Sequence, residues 1–245
     1  GVDGSYNVLE FFGEANIPLL SDLAFAQKLN LDLAYRYSDY STSGGSSTYR
    51  AGFDWQPIDL FTVRVGYNRA VRAPNVAELF SVEALGLWSG ADPCAGNLFN
   101  SRTSDDPTQT AAQCANSGVT PEQYGRISAS PAGQYNGIFG GNTELVPETA
   151  DTWTAGIVFN VMDSMTISVD YWDISIEDTI NNIGAPTILE QCGLNNTLCD
   201  LINRGPNGNL WQGTVPYIYD VTVNLGENAW SGVDLAFNWG VDGLG

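Results

Sequence analysis

The chain of 245 residues carries 28 acidic and 9 basic side chains and no histidine, for a formal net charge of −19. That balance argues against nucleic acid as a partner, and the missing histidine removes the commonest general base and metal ligand. No run approaches the roughly 18 consecutive apolar residues of a membrane-spanning helix, and Gly1–Tyr6 lack the segments of a signal peptide, which leads us to expect that the chain starts within a longer protein.

The first predicted strand, Tyr6 to Ile17, sets Leu9, Phe11, Ala15 and Ile17 against Glu10, Glu14 and Asn16. After a moderately short connection, Pro18 to Gln27, strict alternation runs from Lys28 to Tyr40: Leu29, Leu31, Leu33, Tyr35 and Tyr37 against Lys28, Asn30, Asp32, Arg36 and Ser38. A period of two gives a strand two chemically distinct faces. Beyond a longer connection, Ser41 to Ser47, come Tyr49, Ala51, Phe53 and Trp55 against Thr48, Arg50 and Asp54. A tight turn, Gln56 to Leu60, leads to Phe61, Val63, Val65 and Tyr67 against Thr62, Arg64, Gly66 and Asn68. A long loop, residues 71–147, interrupts the pattern. It resumes with Trp153, Ala155, Ile157, Phe159 and Val161, turns at Met162 to Ser164, and returns as Met165, Ile167, Val169 and Tyr171. A second long loop, residues 181–216, precedes a last, less regular strand within Tyr217 to Trp239.

Short turns at one end and long loops at the other are the asymmetry of outer-membrane barrels, with the turns in the periplasm and the loops outside. The fold expected is therefore all-β: part of an antiparallel transmembrane β-barrel of about seven strands, with residues 1–245 belonging to one barrel domain. Aromatic residues should then gather where the apolar face meets the membrane interface. Tyr37, Tyr49, Tyr67, Trp153 and Tyr171 all fall at the long-loop ends, and Phe61 and Trp55 at the turn end. The alternative is a soluble β-sandwich whose apolar face is its core. Strands of ten or more residues, and Lys28, Arg36, Arg50 and Arg64 on the polar face, favour the barrel and its wet lumen.

The four cysteines form two local pairs, Cys94 with Cys114 and Cys192 with Cys199, each in a segment rich in Asn, Asp, Gly, Pro and Ser. Local loop-stapling disulfides in an oxidising compartment are expected, although four cysteines admit three connectivities. The spacings do not suit zinc, no calcium-loop spacing is present, and no cofactor is expected. The loop at 71–147 offers Arg72, Trp88, Asp92, Phe99, Tyr124 and Tyr135 as ligand-binding candidates, among further acids at Asp105, Asp106 and Glu122. Aromatics with carboxylates and amides suit sugar rings or an organic metal chelate; any single carboxylate reads first as a solvated surface charge.

Four stretches, in order along the chain, carry a family resemblance. Arg69-Ala70-Val71-Arg72-Ala73-Pro74-Asn75-Val76-Ala77-Glu78-Leu79-Phe80 resembles the Arg-Ala-Pro and Glu-Leu-Phe element of TonB-dependent receptor barrels. Gly141-Asn142-Thr143-Glu144-Leu145-Val146-Pro147-Glu148 resembles the Asn-Pro-x-Leu-x-Pro-Glu segment that opens a barrel strand there. Val169 to Ile174 with Asp178 to Ile180, and Ser231 to Leu235, follow in the same order. Thr143 replaces the first proline of the second element, and the glutamate often found before Gly156 is missing. Physically, Pro74 cannot donate a ladder hydrogen bond and restricts Ala73, so pairing should loosen as the strand enters its loop; Pro147 marks the return. Arg69 and Arg72 with Glu78 are expected to form a charged cluster at the barrel mouth. Leu145 and Glu148, like Leu79 and Phe80, are read as structural.

The resemblance implies a receptor, not an enzyme: active uptake of a scarce siderophore, cobalamin-like compound or carbohydrate across the outer membrane of a Gram-negative bacterium. The implied partners are outer-membrane lipid and lipopolysaccharide, an extracellular small-molecule or oligosaccharide ligand, and a TonB-type energy-coupling complex acting through an N-terminal plug. Neither plug nor closing C-terminal strand is recognisable, so about seven strands should not close or transport alone. The competing functions are a passive porin, which shares the wall but lacks a plug, and a secreted carbohydrate-binding β-sandwich. A carboxylate-pair enzyme comes last, because no pair of acids stands out from the rest.

Overall fold

A computed structural model describes residues 1–96, 106–162 and 164–240; the candidate Phe99 and the loop acid Asp105 lie outside the described residues. The elements in chain order are β1 (Val8–Leu23), β2 (Ala26–Tyr40), β3 (Gly44–Ile58), β4 (Phe61–Arg72), α1 (Val76–Phe80), β5 (Ala84–Ser89), α2 (Ala111–Asn116), β6 (Gln134–Phe139), β7 (Glu148–Met162), β8 (Met165–Glu177), β9 (Ile180–Asn181), α3 (Ala185–Asn195), β10 (Ile202–Asn203), β11 (Tyr217–Tyr219), β12 (Val223–Asn224) and β13 (Asn228–Trp239). They form two compact units. One comprises residues 5–74, 144–180 and 224–245, the other residues 1–4, 75–143 and 181–223.

The first unit is a seven-stranded antiparallel sheet in the order β1-β2-β3-β4-β7-β8-β13. Its register turns the alternation of the sequence into continuous rows. Ile17, Leu31, Phe53, Val65, Ala155, Tyr171 and Val233 stand opposite one another from strand to strand. One position along, on the other face, run Asn16, Asp32, Gly52, Gly66, Thr154, Trp172 and Gly232. The apolar face is uncovered, with Trp153 55%, Val233 65% and Leu235 75% exposed. A soluble sandwich would bury such a face beneath a second sheet; a barrel wall presents it to lipid.

Several boundaries differ from expectation; the turn expected from Gln56 to Leu60, for one, shrinks to Asp59 and Leu60 because β3 runs to Ile58. β1 continues through Pro18 to Leu23, because a register shift between Pro18 and Leu20 absorbs the proline and brings Leu20 opposite Leu29. The connection expected from Pro18 to Gln27 shrinks to a turn at Ala24 and Phe25, where Phe25 takes φ 61°. The connection expected from Ser41 to Ser47 shrinks to Ser41–Ser43, with Gly44 at φ +76° entering the next strand and Gly45 to Ser47 laddered against Asp39 to Tyr37. That stretch is polar on both faces, so hydrophobic periodicity could not report it. At the C-terminal end, Tyr217–Tyr219 belongs to another sheet and the wall strand begins at Asn228.

The second unit is built from the two segments expected as long loops, and it is structured. β10, β11, β6 and β5 form a four-stranded sheet in that order, with β11 and β6 parallel. Its main core gathers Trp88, Tyr135, Ile188, Leu189, Leu210 and Ile218. A smaller core holds Val119 and Ile127 around a disulfide. Both expected disulfides are formed, Cys94–Cys114 and Cys192–Cys199. Short helices carry their own caps: Asn75 and Glu78 make a reciprocal capping box on α1, as Thr110 and Gln113 do on α2.

Candidate functional site

The polar face of the seven-stranded sheet carries most of its charge, and the register decides which charges meet. Arg72, the last residue of β4, stands opposite Glu148, the first of β7. Its Nε and Nη2 each donate to the carboxylate at 2.7 Å, and Glu148 also accepts the Ile180 amide at 2.7 Å. Arg64 donates through Nε (2.8 Å) and Nη2 (2.7 Å) to Asp170, two strands away, across Gly156 of β7. Arg69 is three residues from Arg72, an odd number, so it points to the opposite, apolar face. There it holds Asp151 through Nε (2.9 Å) and Nη2 (2.7 Å), beside a 2.7 Å hydrogen bond from the Tyr67 hydroxyl to the same carboxylate. The expected single cluster of Arg69 and Arg72 at the mouth is thus divided by the sheet. Glu78 accepts the Asn75 amide at 2.8 Å within the α1 cap.

The polar face also forms a groove over β1–β4. Glu14, Asp32, Arg36, Thr48, Arg50 and Asn68 lie along it, and its volume is about 450 Å³. Asp32 accepts from Asn16, and Arg36 lies 5.5 Å from the centre of the Phe12 ring.

In the second unit the described candidates Trp88, Asp92, Tyr124 and Tyr135 turn inward. Trp88 stacks on Tyr135 with ring centres 4.8 Å apart and donates from Nε1 to the Asn136 carbonyl at 3.1 Å; both side chains are buried. The Asp92 carboxylate is also buried. It receives Nη1 and Nη2 of Arg204 at 2.7 and 2.9 Å and the Cys94 amide at 3.0 Å. Arg204 further donates from Nε to Ser117 Oγ and from Nη1 to the Gly208 carbonyl, so each of its three guanidinium nitrogens is hydrogen-bonded. Tyr124 is half-buried against the smaller core and donates to the Gln109 carbonyl at 2.9 Å. These residues hold the unit together; its exposed large apolar side chains lie elsewhere, at Val82, Leu85, Leu87, Leu194 and Val215. Sequence reading overlooked Leu85 and Leu87 because β5 places Trp88 on its other face, which blurs the alternation. It also overlooked Arg204, whose partner lies 112 residues away.

Among the described residues of this unit, three titrating groups are displaced from their ordinary ranges. Burial pushes the Asp220 carboxyl up, opposed by amides at the start of α3, of which Gly184 donates at 3.1 Å. The Tyr219 phenol is pushed up by its hydrogen bond to Glu83. The exposed Glu122 carboxyl is held down by its own backbone amide and the Thr120 side chain. Among the described residues no group of three or more His, Cys, Asp or Glu is placed to hold a metal ion.

The positions where β4 ends and β7 begins, flanked by Pro74 and Pro147, are those of the two motifs read in the sequence. Leu79 and Leu145, the apolar residues within those motifs, are buried. No curated protein matches the sequence. Among solved structures, the fold is similar to the siderophore receptor PirA of Acinetobacter baumannii (TM-score 0.57, 15% identity, 96% of this chain and 26% of that one). PirA of Pseudomonas aeruginosa is similar (0.56, 17%, 94% and 30%), as is a mutant of the ferric enterobactin receptor PfeA of Pseudomonas aeruginosa in complex with enterobactin (0.57, 15%, 94% and 24%). The chain therefore spans no more than 30% of the length of these receptors, and at such identity the likeness is one of fold. The model of the family described as TonB dependent receptor-like, beta-barrel, matches residues 2–245. With its open antiparallel wall, its uncovered apolar face and both junction motifs in place, the chain belongs to the TonB-dependent receptor β-barrel family, whose members are transporters and not enzymes.

Proposed function

We infer that this chain forms part of the wall and recognition loops of a receptor that takes up a scarce iron chelate across the outer membrane of a Gram-negative bacterium. The observation that carries the reading is the pairing of an uncovered apolar face with a charged polar face on one long-stranded sheet. A lipid-facing wall around a wet interior requires both. The tight turns then lie in the periplasm and the two long insertions, residues 71–147 and 181–216, outside. An iron chelate is favoured over a sugar or a cobalamin-like compound because the similar structures are siderophore receptors by description. Within the insertions, Trp88, Asp92 and Tyr135 act by holding the recognition surface in shape, and ligand contact falls to exposed side chains such as Leu85 and Leu87. Energy comes from a TonB-type complex acting through a plug inside the barrel, and lipopolysaccharide surrounds the outer rim.

Uptake of iron-loaded siderophores by cells that carry the whole protein as their only such receptor tests this reading. Accumulation that saturates at low ligand concentration and stops when the TonB-type partner is deleted is the expected result. Accumulation proportional to concentration and indifferent to that deletion means a passive pore and overturns it.

A further inference from the structure

The four-stranded sheet of the second unit is assembled from two insertions that are far apart in the chain. β5 and β6 come from residues 75–143, and β10 and β11 from residues 181–223. The two pairs meet where β11 lies parallel to β6, with Ile218 opposite Gly137 and Tyr219 opposite Ile138. β10 and β11 are only two and three residues long, and an isolated two-stranded pair is at best marginally stable in water. They therefore need the edge that β6 offers. The main core is divided in the same way: Trp88 and Tyr135 belong to the first insertion, and Ile188, Leu189, Leu210 and Ile218 to the second.

The buried polar groups are shared between the insertions as well. Asn136, in β6, donates from Nδ2 to the Gly213 and Pro216 carbonyls at 2.8 and 2.9 Å, and its amide donates to the Leu210 carbonyl at 2.9 Å. Asn116 Nδ2 donates to the Cys192 carbonyl at 3.1 Å. The deepest link is the pair of Arg204 with Asp92, whose side chains are 4% and 1% exposed. Asp92 and Ser117, both held by Arg204, flank the two ends of the segment closed by Cys94–Cys114. One side chain of the second insertion thus fixes that whole segment of the first, and removing it would leave an uncompensated buried charge.

We propose that the two insertions are one obligate module that folds and moves as a body, with Arg204 as its positioning residue, so that neither insertion opens separately as a lid. Long loops are the low-stability segments from which lids are drawn, and two of them would ordinarily be free to close one at a time. Here a separate opening would part β11 from β6, bare Tyr135 and Ile218 to water, and strip Arg204 from Asp92. All of these losses fall on a single event, which makes the opening cooperative. The module is a property of the fold and independent of the imported ligand. A receptor with two separate lids would serve uptake equally well, so failure of the module leaves the proposed function untouched.

Hydrogen exchange on the whole protein in detergent, read by mass spectrometry, tests this with reciprocal variants. Leu210→Ala truncates a fully buried side chain of the second insertion, and Tyr135→Leu a buried one of the first. Each should lower protection in β6 and in α3 by the same factor, about thirtyfold or more for Leu210→Ala. β2 and β3 of the wall serve as the reference for a correctly inserted protein. Arg204→Met should lower both segments by on the order of a hundredfold, because it leaves Asp92 charged and unpaired in the interior. Adding Asp92→Asn, which removes that charge and keeps an acceptor for the Cys94 amide, should restore about tenfold of the loss or more. Complete loss of protection in both segments is the same coupled outcome. Protection that falls only in the insertion carrying the substitution overturns the proposal and makes the insertions two independent lids. For Arg204→Met, a fall confined to the neighbourhood of Asp92, Ser117 and Gly208, or no recovery with Asp92→Asn, reduces Arg204 to a local brace and overturns its positioning role.

Discussion

Arg64 and Asp170 sit on strands that are not neighbours, and they touch because the strand between them carries Gly156 at the crossing point. The glycine is required by space, not by backbone conformation: any Cβ there would overlap the Asp170 carboxylate. The pair therefore ties three strands of the wall into one charged girder on the polar face.

Gly156→Ala should break this pair without altering any charge. Arg64 is half exposed in the structure, so the coupling is expected at the level of a solvated pair, about 0.2–1 kcal/mol. A double-mutant cycle between Gly156→Ala and Arg64→Ala, read by thermal unfolding in detergent, checks it. Additive losses would show that the glycine serves some purpose other than the ion pair.

The disulfides should matter unequally. Cys94–Cys114 closes a separation of 20 residues and Cys192–Cys199 one of 7. The loop-entropy model gives about 3 kcal/mol for the first and about 2 kcal/mol for the second. The longer bridge also lies inside the small core with Val119 and Ile127. Replacing Cys94 and Cys114 together by serine should expose residues 75–143 to limited proteolysis more than the matching replacement of Cys192 and Cys199. The barrel strands should stay protected in both. The reverse order of sensitivity would contradict this ranking.

Asp220 gives the second unit a pH dependence of definite sign. Its carboxyl is buried and its folded-state pKa is raised above the ordinary 3.8, with burial the leading cause. The folded state thus binds the proton more tightly than the unfolded state. The stabilisation is fully present below the unfolded value and is lost as pH rises through the folded one. Asp220→Asn keeps an oxygen to accept the Gly184 amide and removes the titration. The difference in hydrogen-exchange protection of α3 between wild type and variant should grow in the variant's favour from pH 3.8 upwards. A constant difference across that range would remove Asp220 as its source.

How much of this was legible in the sequence depends on which contrast a residue carries. The wall was readable because lipid and water impose opposite chemistry on alternate residues, so Leu31, Phe53, Val65 and Tyr171 announced both strand and face. The strand at Gly44 to Ser47 was not, because serine and glycine carry no contrast. The ion pairs of the polar face needed the register: nothing local in Arg64 or Asp170 points across Gly156. In the loops, Trp88, Asp92 and Tyr135 looked like a recognition surface because composition cannot tell a solvated aromatic from one that anchors a small core. Arg204, 112 residues from Asp92, is what makes the burial of that acid possible.

The face assignment itself can be tested at two consecutive residues. Val169 lies in the middle of the apolar band, opposite Ile157 and Leu235 and 40% exposed. Ser168 points to the polar face, opposite Val158 and Ala236. An arginine on the lipid side near the midplane costs about 2–4 kcal/mol, while one on the interior side meets water. Val169→Arg should therefore reduce the folded, heat-modifiable form recovered from outer membranes, and Ser168→Arg should leave most of it intact. A single-residue shift in register would exchange the two phenotypes, because every side chain would change face. Equal tolerance of both arginines would mean that neither face meets lipid.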